Sequence, residues 1–162
     1  MSEMVKVTLP DGSVREYAKG ITIADAVAQI GRGLAKAALG ARVDGVTVDL
    51  STKLERDCGL VVLTFKDEEG RQMFRHTSTH IMAQAIKRLY PDAKLTVGPP
   101  LEDTFYYDID MPRPFTPEDM AAIEKEMGRV VEQDFPMVRS EVTRDYAKDF
   151  FARKGEDWKV LL

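Results

Sequence analysis

Hydrophobic and polar positions alternate with a period of two near the start of the chain, in Val5-Lys6-Val7-Thr8-Leu9 and again in Val14-Arg15-Glu16-Tyr17. Such alternation predicts strands with one buried face. The intervening Pro10-Asp11-Gly12-Ser13 joins a preset proline φ to a glycine that accepts positive φ, so the two runs predict a β-hairpin. At Thr22 the period changes. Ile23, Ala26, Val27 and Ile30 recur at helical spacing behind a threonine suited to the N-cap, with Asp25 three residues on, which predicts a short amphipathic helix ending at Gly31. The stretch Gly33 to Gly40 predicts a further helical turn closed by glycine. Ala41-Arg42-Val43, Asp44-Gly45 and Val46-Thr47-Val48 predict a second hairpin. Leu60 to Phe65, continuously apolar and rich in β-branched residues, reads as a strand in the middle of a sheet. Strands, one helix and further strands within roughly 60 residues fit a mixed sheet wrapped over a helix, the β-grasp or ubiquitin-like arrangement.

Lys66-Asp67-Glu68-Glu69-Gly70-Arg71 breaks this pattern with five charges and a glycine, and it is read as a linker between domains at 1–65 and 72–162. Beyond it, Met82, Ala85, Ile86 and Leu89 predict a helix from about Thr77 to Tyr90, stopped by Pro91. Ala93–Val97 and Thr104–Ile109 predict strands separated by Gly98-Pro99-Pro100. Thr116, with Pro117 at the first helical position, caps a long helix whose stripe is Met120, Ile123, Met127, Val130 and Val131. A strand at Met137–Val142, a helix at Arg144–Arg153 and a strand beginning at Trp158 and running to Leu162 complete a second α+β domain.

Composition narrows the function classes. The 162 residues suit one medium or two small domains, and a lone cysteine, Cys58, excludes a disulfide framework and points to a reducing, cytoplasmic setting. The longest apolar run, Leu60–Leu63, is far too short to span a membrane, and the N-terminus has no secretion-signal pattern. The net charge of -4 excludes a general polycation, although a local patch could still meet nucleic acid.

Chemistry concentrates on the two histidines, His76 and His80, four residues apart at the start of a predicted helix. At 100° per residue they share one face, about 150° from the apolar stripe, with Ala83 and Lys87 below them. Two imidazoles on one face can bind a divalent metal, exchange a proton with a reacting group or position a water. Thr77 after the first histidine departs from the zinc-protease motif, and a closed zinc site lacks ligands, so no metal site is assigned. A solvated pair without chemistry stays open as the plain reading. Tyr107, in Phe105-Tyr106-Tyr107, could stack on a base or simply fill a core, and Lys159 by itself reads as a surface lysine.

The series as a whole resembles a known family. Val7-Thr8-Leu9-Pro10-Asp11-Gly12-Ser13 and Gly31 with Gly33-Leu34-Ala35-Lys36-Ala37 resemble the TGS domain at the N-terminus of threonyl-tRNA synthetases. Arg75-His76-Thr77-Ser78-Thr79-His80, Gly98-Pro99, Phe105-Tyr106-Tyr107-Asp108 and Pro112-Arg113-Pro114-Phe115-Thr116-Pro117-Glu118-Asp119 are similar to the editing domain that follows it. The resemblance implies a part in editing, the hydrolysis of seryl-tRNA made in error by a threonine-tRNA ligase. It implies His76, His80 and Lys159 as catalytic residues and Tyr107 as a substrate contact, together with a Cys-x-x-x-His pair further downstream that this sequence does not contain. It also implies contact with the acceptor end of the tRNA for threonine. ATP with magnesium, the catalytic zinc and the contacts of a homodimer would belong to an aminoacylation core outside this chain, so this N-terminal portion is expected to need no cofactor and to charge no tRNA. A non-catalytic tRNA-binding or regulatory module, and a scaffold, are the alternatives.

Overall fold

In the computed structural model, which describes residues 3–98 and 101–161, the chain divides into two compact units, Met1–Phe74 and Arg75–Leu162. The first is built on a five-stranded mixed sheet. The strands are β1 (Met4–Thr8), β2 (Val14–Ala18), β4 (Ala38–Val43), β5 (Val46–Val48) and β7 (Cys58–Thr64), in the order β2-β1-β7-β4-β5. β1 and β7 are parallel and the other neighbours antiparallel, the pairing of a β-grasp sheet. A small second ladder pairs β3 (Ile21–Thr22) with β6 (Lys53–Leu54). Gly12 and Gly45 adopt φ of 82° and 85° at the two hairpin turns, where a side chain would be strained.

Helix α1 (Ile23–Ile30) starts as its sequence predicts, with the Thr22 hydroxyl accepting from the Asp25 amide at 3.1 Å. Its apolar stripe buries Ile23, Ala26 and Val27 against Val5, Val7, Ala41 and Leu60. Tyr17 enters the same core and donates its hydroxyl to the Ala26 carbonyl at 3.3 Å, so its one polar atom is paired. The helical turn expected to end at Gly40 is instead α2 (Arg32–Ala37), and the chain passes directly into β4 at Ala38. Gly40 serves packing rather than capping, since a Cβ there would collide with the Met73 sulfur.

The charged stretch read as a linker is a helix start. Asp67 accepts from the Thr64 amide at 2.7 Å and from the Thr64 hydroxyl at 3.0 Å, and α3 then runs from Glu68 to Leu89. Its acidic residues complement the positive end of the helix dipole, which is the physical reason for the charge cluster. Gly70 is needed there because a Cβ would meet the Thr64 carbonyl.

The second unit packs the later part of α3 against α4 (Pro117–Glu132) and a short antiparallel ladder of β8 (Lys94–Leu95) with β9 (Ile109–Asp110). Ala83, Ala85, Ile86, Ala93, Leu95 and Ile123 form its core. Thr116 and Asp119 make a reciprocal capping box with Pro117 in the first turn of α4. Two carboxylates tie the helices together. Asp119 accepts from Tyr90 at 2.7 Å and is paired with Arg113, while buried Glu126 takes Arg88 at 3.1 Å and Arg129 at 3.0 Å.

Three strand expectations in this unit are corrected. The Thr104–Ile109 run is not a continuous strand: Ile109 joins the ladder, Asp108 exchanges backbone hydrogen bonds with Thr96 and Val97, and Phe105 forms a lone bridge, with Pro99-Pro100 outside the described residues. Residues 135–143 form neither helix nor strand, with Met137 and Val138 exposed at 76% and 84%. An alternating pattern marks a strand only where a neighbour takes its backbone hydrogen bonds. Helix α5 (Arg144–Arg153) agrees with expectation, but the expected terminal strand is a helix, α6 (Asp157–Leu161), Leu162 being outside the described residues. A short apolar run does not distinguish the two states; the turn before it decides.

Candidate functional site

His76 and His80 lie one turn apart on α3 because a spacing of four returns nearly to the same face. Their ring centroids are 4.8 Å apart with planes tilted by 30°. Both residues are exposed, whereas Thr79 beside them is buried and donates its hydroxyl to the Arg75 carbonyl at 2.9 Å. The face below them is covered: Ala83 is buried, and the Lys87 ammonium forms an ion pair with Glu156 at 3.1 Å. The histidine face therefore leads into the C-terminal helices of the same unit.

Those helices bring in Lys159. Helix α5 ends in a Schellman turn, in which the Gly155 amide donates to the Ala152 carbonyl and the Glu156 amide to the Phe151 carbonyl, both at 3.0 Å. Gly155 has φ of 69°, a left-handed conformation suited to glycine. The turn reverses the chain so that Glu156 and Lys159, one turn apart, both face α3. The Glu156 carboxylate, with its side chain 12% exposed, lies between Lys87 at 3.1 Å and Lys159 at 3.6 Å. Lys159 also sits over the Phe151 ring, 5.4 Å from its centroid.

The electrostatics connect these groups. Partial burial of the His80 ring, followed by the neighbouring His76 and the Lys159 charge, holds the His80 pKa below its ordinary value of 6.5. At neutral pH His80 is therefore predominantly the neutral imidazole, able to accept a proton. Burial disfavours the Glu156 charge, but the hydrogen bond from Lys87 and the charges of Lys159 and Lys87 outweigh it and lower its pKa. Tyr107 packs against the core of the unit, and burial, then the charge of Glu156, raises its phenol. A Cβ at Gly98 would lie 2.5 Å from Tyr107 Cδ2, so the glycine makes room for this ring.

The four residues singled out from the sequence, His76, His80, Tyr107 and Lys159, thus belong to one unit; Glu156 pairs with Lys159 and its charge acts on Tyr107, while His76 and the Lys159 charge act on His80. Glu156 and Lys87 were not singled out for chemistry. Their signals were faint but present: Lys87 shares the histidine face, and Glu156 precedes Lys159 by one helical turn. Among the described residues no group of three or more His, Cys, Asp or Glu side chains converges as a metal site, and no helix is long and apolar enough to cross a membrane. Cys58 is buried in the core of the first unit.

Comparison with known proteins agrees with this architecture. Residues 5–64 match the TGS domain family, a β-grasp fold. The chain is 72% identical over all 162 residues to a threonine-tRNA ligase of Symbiobacterium thermophilum. It is 50% identical over 159 residues to one of Acetivibrio thermocellus and 46% identical over 159 residues to one of Desulforamulus reducens, 98% of this chain being covered in each case. The chain spans about a quarter of the length of these curated relatives, 25% in each case, and matches their N-terminal part. With a TGS domain at residues 5–64 and this identity along its whole length, the chain is similar to the N-terminal region of threonine-tRNA ligases.

Proposed function

We propose that the second unit of this chain takes part in editing, by hydrolysing the ester that joins serine to the terminal ribose of the tRNA for threonine. The observation that carries this reading is the pair of His76 and His80 rings 4.8 Å apart on one face of α3, with the charge of Lys159 acting on His80 and helping to hold its pKa low. A base and a cation within electrostatic reach of each other suit attack of water on an ester carbonyl. In this step His80 accepts a proton as the water oxygen bonds to the carbonyl carbon. Lys159 stabilises the negative charge that develops on oxygen, the carbon–ribose oxygen bond breaks, and the proton is returned to the leaving ribose oxygen. His76 positions the water or the neighbouring imidazole, and Tyr107 borders the bound end of the tRNA. Water, histidine and lysine suffice for the step as written, with no cofactor.

Chemical need supports the same reading. A threonine site that also accepts serine gains only about 1 to 3 kcal/mol of discrimination from one methyl group, roughly 10- to 200-fold. A separate hydrolytic site removes the error that remains. The acceptor end of this tRNA is the partner the reading requires, in the cytoplasm where tRNA is charged.

Incubation of seryl- and threonyl-tRNA for threonine with the chain, and with the chain extended to the length of its relatives, tests the reading. Serine-selective deacylation that disappears in His80→Ala and Lys159→Ala is the expected result. Equal hydrolysis of both esters, or rates unchanged in both variants, would overturn it. Salt-dependent tRNA binding without deacylation in either form would favour a binding module.

A further inference from the structure

We propose that Glu156 is a positioning residue of this site: clamped by Lys87, its carboxylate holds the Lys159 ammonium toward His80. The effect on rate rests on the hydrolytic reading above, whereas the geometric claim stands without it. Each oxygen of the carboxylate takes one lysine, Oε1 that of Lys87 and Oε2 that of Lys159. Lys87 is saturated, because its ammonium also donates to the Pro91 carbonyl at 2.9 Å and the Ala93 carbonyl at 3.0 Å, giving three acceptors for three protons. It is anchored to the end of α3 and the loop that follows, so it cannot turn toward a substrate without breaking those bonds.

Lys159 is held differently. Its backbone amide donates to the Glu156 carbonyl at 2.9 Å, while its side chain, 27% exposed, stands 3.6 Å from the carboxylate. That separation is an ion pair longer than a tight hydrogen bond, and it leaves ammonium protons for an incoming oxygen. The two lysines of one carboxylate thus have different duties, one fixing the carboxylate and the other directed by it. The Schellman turn at Gly155 sets the backbone of Glu156 just before α6 begins.

The test uses the chain itself and reads the His80 titration by NMR, with no substrate present. Glu156→Gln keeps the side-chain shape and still accepts from Lys87. If Glu156 acts through Lys159, the His80 pKa rises in Glu156→Gln as it does in Lys159→Ala, and the double variant shifts it no further. Emission from Trp158, the single tryptophan, reports that α6 remains docked. In deacylation, kcat falls in Glu156→Gln by the factor seen for Lys159→Ala, with KM retained. An unchanged His80 titration, additive shifts in the double variant, or a red-shifted Trp158 emission would each overturn the proposal; the last would make Glu156 an anchor of α6. Absence of deacylation in every form would remove the hydrolytic reading and leave the titration cycle intact as a test of this one.

Discussion

The centroids of the His76 and His80 rings lie 4.8 Å apart, so a charge on His76 opposes protonation of His80. Burial remains the larger reason for the lowered His80 pKa, so His76→Ala should raise it only part of the way back toward 6.5. Histidine NMR titration measures this directly. The folded state binds fewer protons at His80 than the unfolded state between the lowered value and 6.5. Stability from this group therefore increases with pH through that window and is lost on acidification below it. Denaturant unfolding followed from pH 5 to pH 8 should show a shallower pH slope in His80→Ala.

Gly155→Ala places a side chain at φ of 69° in the turn that delivers Glu156. The left-handed conformation costs a non-glycine residue about 1 kcal/mol. The variant should lower the unfolding free energy of the second unit by about that amount in urea titrations, and should raise the His80 pKa as Lys159 loses its alignment.

Gly70→Ala reverses a common rule. An alanine in a helix ordinarily stabilises by roughly 0.5–1 kcal/mol over glycine, but here its Cβ meets the Thr64 carbonyl at the end of β7. Overpacking against backbone that cannot move away costs about 1–3 kcal/mol, so destabilisation is expected. A lower denaturant midpoint for Gly70→Ala, beside a raised one for Gly33→Ala in α2 where nothing lies within 4 Å, would show it.

Asp119 accepts from Arg113, from the Thr116 amide and from Tyr90, and these bonds hold its carboxyl far below the ordinary 3.8. A depressed carboxylate stabilises the fold above its unfolded pKa, and this contribution declines as pH falls toward the folded value. Asp119→Asn should therefore destabilise the second unit at neutral pH, with the difference from the parent chain shrinking below about pH 4. Thermal unfolding at pH 7 and pH 3 measures both limits.

Particular residues show how much of this was readable in advance. Pro10-Asp11-Gly12, Thr22 and Thr116 each act locally, on backbone groups within a few residues, and the structure uses all three as their chemistry predicts. The histidine spacing likewise gave a shared face without reference to any partner. Gly40 was misread because a glycine that ends a helix and one that admits a distant Met73 look alike in sequence, and Gly70, read as part of a linker, instead makes room for the Thr64 carbonyl. The charges at Lys66–Arg71 suggested a solvated linker, since acidic residues at a helix start and in a linker share a composition. Trp158–Leu161 could have been strand or helix, and the glycine three residues before it was the unread signal.

The sequence by itself determined the local elements, the β-grasp order of the first unit and the alignment of His76 with His80, because hydrophobic period, caps and turns act over a few residues. Only the tertiary structure decided that the charge of Lys159 acts on His80 and that Glu156 joins Lys159 to Lys87. Those ion pairs span about 70 residues and depend on a left-handed turn and a half-buried carboxylate, whose charge is favoured where two ammonium groups converge on it.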